Sequence, residues 1–272
     1  MIYFVATPIG NLKDISLRAL ETLKSVDIIF CEDTRHSLKL LNHYGIKKPL
    51  KSCHKFNERE ASELIIKEAQ AGKEIAIISD AGMPVISDPG SKVCEELRKA
   101  DVPYTVVPGA NAVLSALILS GLPADRFVFL GFLPEKEGEC RRLLEKYRDV
   151  EATLCIHTAP QDIDRVIAVA RSVLGDRTAC AVREITKIHE QAIRFKLGIG
   201  LIGDRRGEYV LLIEGADGLN RRLNNLSEKE HILYYMKTGM DKKSALKQVA
   251  KDRGVSKSEI YKFAIDIGEQ DE

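Results

Sequence analysis

Several features that would indicate a function directly are missing from this 272-residue sequence. The net charge is only +1, so the chain has no overall bias toward nucleic acid or membranes, and any such site must be a local patch. The six cysteines form no C-x-x-C pair. The lack of such a pair argues against a zinc site, so no metal is expected. Most of the six lie inside apolar strand-like or helix-like runs, which predicts small core residues of a reduced, cytoplasmic protein.

Two further absences narrow the class of protein. No segment approaches the roughly 18 apolar residues that a membrane span requires. The opening MIYFVATPIGN lacks the basic region of a signal peptide and is predicted to be a strand. The turn that follows it matches neither G-x-G-x-x-G nor a P-loop, so a phosphate cradle is not indicated.

Short apolar strands alternate with amphipathic helices over the first 120 residues. The strand segments are MIYFVAT, DIIFCED, EIAIISD and PYTVVPG, and the helical segments between them include DISLRALETLKSV, with Asp14 as its expected N-cap. This alternation predicts an α/β fold with a mostly parallel sheet covered on both faces.

The pattern changes twice along the chain. GLPADRFVFLGFLPEKEGE is rich in Gly, Pro and charge and is interpreted as a linker into a second α/β unit with a more mixed sheet. NRRLNNLSEKEH is interpreted as a second linker, followed by a helix-turn-helix-like segment with Ser256 as an N-cap. The predicted domains are residues 1–118, 119–226 and 227–272.

The stretch ISDAGMPVISDPG, residues 78–90, is too long and too rigid for an ordinary strand-to-helix turn. Its small residues let another group approach the backbone, and its prolines remove conformational freedom. Two other strand ends, PIGN and VVPGANA, have the same character. Three such loops at the carboxyl ends of parallel strands indicate one small-molecule cleft.

Two polar stretches follow neighbouring strands and allow two interpretations. CEDTRHS carries Asp33 and Arg35, and CHKFNERE carries His54, Asn57 and Glu58. They could form polar walls of a substrate cleft, or Asp33 and Arg35 could be a solvated surface pair, which is common. Residues 237–262 contain eight Lys or Arg against three Asp or Glu, which modestly favours a polyanionic partner for the last helices.

Several stretches together resemble the tetrapyrrole methylase-like family of S-adenosylmethionine (SAM) enzymes, in its branch that methylates small-subunit ribosomal RNA. They are TPIGNLKDISLRALETLKSVDIIFCEDTRHS, SDAGMPVISDPG, VVPGANA, GLPADRFVFLGFLP, REITKIHE, RGEYVLLIEG and the final YKFAI. The resemblance covers nearly the whole chain. Met83 departs from it, because the family usually has Thr there.

The resemblance implies two α/β domains with SAM between them, a small C-terminal helical domain, a homodimer, and 2′-O-methylation of a cytidine ribose in the decoding region of 16S ribosomal RNA. It implies cofactor contacts at Ile9, Gly10, Asp80, Ala81, Gly82, Val85, Asn111, Ala112, Thr158, Ile185 and Tyr209. It places the EDTR and HKFNE stretches against the RNA, and the residues expected to contact it are Arg35, His54, Asn57 and Lys187.

Methyl transfer to a ribose hydroxyl gains from a nearby proton acceptor. Asp33 and Glu58 are the favoured candidates, and Asp80 and Glu184 are also considered. Two other functions stay open. One is a tetrapyrrole C-methyltransferase on the same scaffold. The other is a non-catalytic ribosome-binding protein that holds SAM, because HTAPQD at 157–162 stands where relatives tend to have Tyr-Glu-Ser-Pro-His-Arg.

Overall fold

The computed structural model describes residues 1–87, 90–203 and 205–264, without the side chains of 220–222. Asp88 and Pro89 of the long loop, and Ile265 of the YKFAI motif, lie outside the described residues. In the first part of the chain, strands alternate with helices as the apolar pattern predicts. They are β1 (Ile2–Val5), α1 (Leu17–Ser25), β2 (Ile28–Cys31), α2 (Thr34–His43), β3 (Leu50–Ser52), α3 (Glu58–Gln70), β4 (Ile75–Ile78), α4 (Ser91–Lys99), β5 (Tyr104–Val107) and α5 (Ala112–Ser120).

These strands form one parallel sheet in the order β3-β2-β4-β1-β5. Its central strands are buried on both faces, since Phe4 and Ile77 belong to one apolar cluster while Val5 and Ala76 belong to another. Strands that are apolar on both faces require cover on both sides, and the connecting helices supply it. The expected parallel sheet is therefore confirmed.

A second sheet follows and has mixed strand directions. Its elements are β6 (Phe127–Phe132), α6 (Glu137–Glu145), β7 (Thr153–Thr158), α7 (Ile163–Leu174), β8 (Thr178–Arg183), β9 (Gln191–Lys196) and β10 (Tyr209–Ile213). The order is β6-β7-β10-β8-β9, with β6 and β7 parallel and the other neighbours antiparallel. The prediction of a mixed second sheet is confirmed as well.

Three local predictions are wrong, and one strand was not predicted. Asp14 ends a short 3-10 turn, and Ser16 caps α1 instead, accepting the N–H of Ala19 at 3.1 Å. The first supposed linker contains β6, with an irregularity at Gly131 that breaks the strand pattern. The second contains α8 (Leu219–Asn224). The three-residue edge strand β3 was not predicted.

Helix α5 connects the two sheets. It follows β5 of the first sheet, but its side chains Val113, Ala116 and Leu117 are packed with Cys180 and Leu212 of the second. The predicted domain boundary at 118 therefore falls inside a helix that rests on the second sheet.

The chain continues into α9 (Glu228–Lys237), α10 (Lys242–Arg253) and α11 (Lys257–Tyr261), which pack around Ile232, Leu246 and Val249. Ser256 caps α11 in a capping box with Glu259, as its position in the sequence predicted. Within the described residues, no helix combines the length and the apolar character needed to cross a bilayer.

Candidate functional site

A cavity of about 330 Å³ opens between the two sheets, within the size range of small-molecule sites. Loops after β1, β4 and β5 form one side, and the cavity ends of β6, β7, β8 and β10 form the other. Its walls are Ile9, Ala81, Gly82, Met83, Ile86, Ser87, Asn111, Ala112, Val113, Phe132, His157, Thr158, Ala159, Pro160, Glu184, Ile185, Lys187, Glu208, Tyr209 and Val210.

Two hydrogen bonds join the loops after β1 and β4. The N–H of Thr7 donates to the carbonyl of Gly82 at 2.9 Å, and the N–H of Gly82 donates to the carbonyl of Thr7 at 3.1 Å. Gly82 has φ +82°, and a Cβ there would lie 3.1 Å from Cγ2 of Ile9. This position therefore favours glycine both for its backbone conformation and for the space beside the cavity.

The rest of the loop between β4 and α4 is held by contacts away from the cavity walls. The N–H of Gly90 donates to the buried carboxylate of Glu58, and the side chain of Val85 lies against Gly90. Val85 and Ser87 have positive φ, at 77° and 68°, which is rare for residues with a side chain. The loop is thus fixed in an uncommon conformation, with Ile86 and Ser87 at the cavity.

Asn111 and α5 form the next part of the wall. The Oδ1 atom of Asn111 accepts the N–H of Leu114 at 3.0 Å, which caps the helix. Because the cap begins α5 directly at the cavity, Asn111, Ala112 and Val113 all line it.

The second sheet contributes a polar atom without a partner. Thr158 is the last residue of β7, and its neighbour across the sheet is Tyr209 of β10. The buried Oγ1 atom of Thr158 has no hydrogen-bond partner among the described residues. Because Thr158 also lines the cavity, this unpartnered hydroxyl is a position where a polar ligand atom is expected to bind.

Two ionisable side chains that line the cavity, His157 and Glu184, have displaced pKa values. Burial lowers the pKa of His157, so its imidazole is neutral at pH 7; the ring stacks on Phe132, with 5.4 Å between centroids. Burial alone would raise the pKa of Glu184. Hydrogen bonds from Lys187 Nζ at 3.1 Å and from the Glu208 N–H at 3.2 Å outweigh burial, so the pKa is lowered overall. The cavity therefore holds a neutral imidazole and an ionised carboxylate.

Most of the predicted cofactor positions lie together at this cavity. Ile9, Ala81, Gly82, Asn111, Ala112, Thr158, Ile185 and Tyr209 line it, as does Lys187, which was predicted for RNA. Gly10, Asp80 and Val85 do not. A Cβ on Gly10 would lie 2.6 Å from Cγ of Lys187, so this glycine makes room for the loop after β8. Asp80 instead accepts the N–H of Asp33 at 3.2 Å.

The two favoured proton acceptors lie outside the cavity walls. Asp33 caps α2 and pairs with Arg35 at 2.8 Å; the hydrogen bonds from Arg35 hold the pKa of this carboxyl well below its usual range. Glu58 is buried and holds Gly90. Both carboxylates therefore make structural contacts, and neither side chain lines the cavity.

Of the remaining residues predicted for RNA, Arg35 lies in the first turn of α2, and His54 and Asn57 lie in the loop after β3. Arg35 is almost fully exposed. Asn57 accepts the N–H of His54 at 2.8 Å and donates to the carbonyl of Ser52 at 3.2 Å, so it shapes the turn. These side chains share an edge of the first sheet with the cavity without lining it.

Phe132, His157 and Glu208 are among the cavity residues that sequence reasoning missed. Phe132 lies in a segment interpreted as a linker. His157 stands in HTAPQD, a stretch that was noted without a role for its first residue. The aromatic residues of VFLGF, which only Leu133 and Pro134 separate from the charged EKEGE, are a signal that could have predicted a strand there.

Comparison with known proteins places these features in one group. The family model for Tetrapyrrole (Corrin/Porphyrin) Methylases matches residues 1–199. The chain is 40% identical to Ribosomal RNA small subunit methyltransferase I of Halalkalibacterium halodurans, over 96% of this chain and 93% of the relative. It is 39% identical to the protein of the same name from Bacillus subtilis, over 96% and 92%.

Solved structures share the fold at low sequence identity. A diphthine synthase superimposes with a TM-score of 0.63 at 15% identity, over 79% of this chain and 89% of that one. The uroporphyrin-III C-methyl transferase of Thermus thermophilus, complexed with S-adenyl homocysteine, has a TM-score of 0.55 at 22% identity, over 78% and 96%.

Proposed function

The chain belongs to the tetrapyrrole methylase family, and we propose that it methylates the 2′-hydroxyl of a cytidine ribose in small-subunit ribosomal RNA. It is a SAM-dependent methyltransferase of ribosomal RNA. The observation that carries this function is 40% identity over 96% of the chain with a small-subunit ribosomal RNA methyltransferase. The nucleotide and the ribose oxygen are the proposed part.

The cavity fits SAM by its own features. The small residues Ala81 and Gly82 line it, as does Thr158, whose buried Oγ1 has no hydrogen-bond partner among the described residues. The residues that would hold SAM are the eight predicted positions at the cavity. When bound, SAM supplies a methyl group on a sulfonium that is already activated. The protein therefore has to align the hydroxyl and accept its proton.

Two groups at the cavity can accept that proton. The neutral imidazole of His157 carries a lone pair on one ring nitrogen, and the ring stacks on Phe132. The carboxylate of Glu184 is ionised and is held by Lys187. Because Asp33 and Glu58 do not line the cavity, the proposal assigns proton transfer to His157 or Glu184.

The two other functions have less support. Tetrapyrrole methyltransferases among the solved structures share the fold at no more than 22% identity. A shared fold at this level of identity does not indicate a shared substrate. The non-catalytic alternative rested on HTAPQD, yet His157 and Thr158 of this stretch line the cavity. Neither alternative has an observation of its own in its favour.

We also propose a homodimer in the cytoplasm, where ribosomes are assembled. Exposed apolar side chains lie on one edge strand of each sheet and on α5. They are Tyr104 and Val106 on β5, Leu114 and Ile118 on α5, and Phe127 on β6. Exposed apolar surface of this kind is typical of an interface. Sedimentation equilibrium of the protein and of Ile118→Glu tests it, and a monomeric parent protein would refute it.

The activity test uses the purified protein, methyl-labelled SAM and small ribosomal subunits that lack the modification. We expect label in the RNA. We also expect one cytidine to be missing from the alkaline cleavage ladder, because a 2′-O-methyl group blocks the attack of that oxygen on the phosphate. Label on a base refutes 2′-O transfer. Label on uroporphyrinogen and none on RNA refutes the function itself.

A further inference from the structure

Phe56 is an aromatic side chain left in solvent. It is 93% exposed, whereas Phe4 and Phe30 are buried and Phe127, Phe132 and Phe263 range from 41% to 63%. Aromatic rings usually stabilise a fold through burial, and Phe56 makes almost no such contribution. A phenylalanine in this position calls for a partner outside the chain.

The turn that carries Phe56 is well ordered by hydrogen bonds. The N–H of Asn57 donates to the carbonyl of His54 at 2.9 Å, and the side chain of Asn57 accepts the N–H of His54 at 2.8 Å. The His54 ring lies edge-on to Phe56, with 6.2 Å between centroids. The ring is therefore presented by a fixed turn, and binding to it costs little ordering of the backbone.

Exposed basic side chains lie near Phe56, together with the acidic Glu60 and with Glu63, which pairs with Arg59 at 3.4 Å. Lys55 precedes it and is exposed, and the side chains of Arg59 and Arg35 are both 89% exposed. Arg35 belongs to the neighbouring strand end, since the N–H of Cys53 donates to the carbonyl of Cys31 at 2.8 Å. Its pair with Asp33 is at the surface, where such a pair is weak enough to be exchanged for a phosphate.

The position relative to the cavity also matters. In the order β3-β2-β4-β1-β5, the loop after β4 forms a cavity wall, and the loop after β3 carries Phe56. Strands are about 4.8 Å apart, so the end of β3 lies about 10 Å along the sheet edge from the end of β4. A strand of nucleic acid with one ribose in the cavity can reach that loop.

We propose that Phe56 is a stacking platform for a base of single-stranded RNA close to the nucleotide that enters the cavity. This inference rests on the proposed function. Aromatic side chains bind unpaired bases by stacking, whatever the base, while nearby Lys and Arg contact phosphates. An exposed ring on a fixed turn among basic side chains has these properties. Phe56 thus positions the strand, and the cavity performs the transfer.

The absence of tryptophan from the chain makes a direct test possible. In Phe56→Trp the indole is the sole tryptophan, and stacking on a base quenches its fluorescence. We expect quenching by the RNA substrate. The control is Ile199→Trp: Ile199 is 71% exposed and follows β9 at the end of the second sheet remote from the cavity. Equal fluorescence of Phe56→Trp with and without RNA overturns the inference.

Methylation kinetics provide the second test. Phe56→Ala should raise the KM for RNA about 5- to 100-fold, with SAM affinity and the melting temperature unchanged, and Phe56→Tyr should restore it. An unchanged KM for RNA in Phe56→Ala overturns the stacking role. Quenching of the Phe56→Trp indole by ribosomal protein, without quenching by RNA, overturns it as well. A parent protein that methylates no RNA refutes the proposed function instead, so the two failures are distinguishable.

Discussion

The guanidinium of Arg148 lies 3.3 Å from the carboxylate of Asp252 and connects the segment after α6 to the end of α10. The Asp252 side chain is fully buried, and it also accepts hydrogen bonds from Tyr235 Oη and from Gln248 Nε2, the latter at 2.8 Å. One carboxylate thus holds α9 and α10 together and fastens them to the second α/β unit.

Asp252→Ala should lower the free energy of unfolding by about 3 kcal/mol, because it leaves buried polar partners without their acceptor. Urea denaturation measures this. The matched variant is Asp241→Ala, which removes an exposed N-cap of α10 and should cost about 1 kcal/mol. Equal losses in the two variants would show that the buried carboxylate contributes no more than a surface cap.

His231 should make the stability depend on pH. Burial, helped by the charge of Arg253, lowers its pKa from 6.5, and the nearby Asp252 opposes this only in part. The unfolded chain therefore takes up a proton first as the pH falls, so stability is complete above about 6.5 and is lost toward lower pH. Denaturation midpoints between pH 7.5 and 5 measure the loss.

His231→Asn is the matched variant for this pH dependence. Nδ1 of His231 accepts a hydrogen bond from Arg253 Nε at 3.3 Å, and an asparagine oxygen can replace that acceptor without titrating. The variant should lose less stability on acidification than the parent protein. His157 also has a lowered pKa, so part of the slope should remain. An identical slope in both proteins would exclude a contribution from His231.

Gly82→Ala should weaken SAM binding by tenfold or more, since the new Cβ would crowd Ile9 and the residue must keep φ +82°. Gly72→Ala is the control: Gly72 has φ +86° and open space around it. Both variants should lose about 1 kcal/mol of stability from backbone strain. Calorimetry with SAM separates them, and equal SAM affinities would place the cofactor away from Gly82.

Thr158→Val should leave the stability of the free protein unchanged or higher, because it removes a buried hydroxyl that has no partner among the described residues. The same variant should weaken SAM binding about five- to tenfold if SAM forms a hydrogen bond with that hydroxyl. Thr153→Val should lower the stability and leave SAM binding unchanged, since Thr153 Oγ1 donates to the carbonyl of Pro123 at 2.7 Å. Melting curves and calorimetry on both variants decide the role.

The proton acceptor can be identified from pH profiles of methyl transfer. With His157 as acceptor, the rate should fall as the pH drops through its lowered pKa, and His157→Gln should lose both the rate and this step. With Glu184 as acceptor, Glu184→Gln should be the inactive variant. Full activity in both variants would exclude both groups.

The first sheet could be predicted because its strands are apolar and its helices regular. Two of the edge strands could not: β3 has three residues, and no residue of β9 (QAIRFK) is buried, so neither has a strong apolar pattern. The cavity loops were predictable because parallel strands end together. His157 and Phe132 come together through the pairing of β6 with β7, a contact that one segment of sequence does not contain.

The paired hydrogen bonds between Thr7 and Gly82 have a consequence for motion. Two loops that share both bonds move as one body, so the first sheet's side of the cavity has little freedom to open. The amide protons of Thr7 and Gly82 should exchange slowly with solvent, whether or not a ligand is bound. Admission of a ligand then depends on displacement of the opposite wall, where Phe132 is more than half exposed.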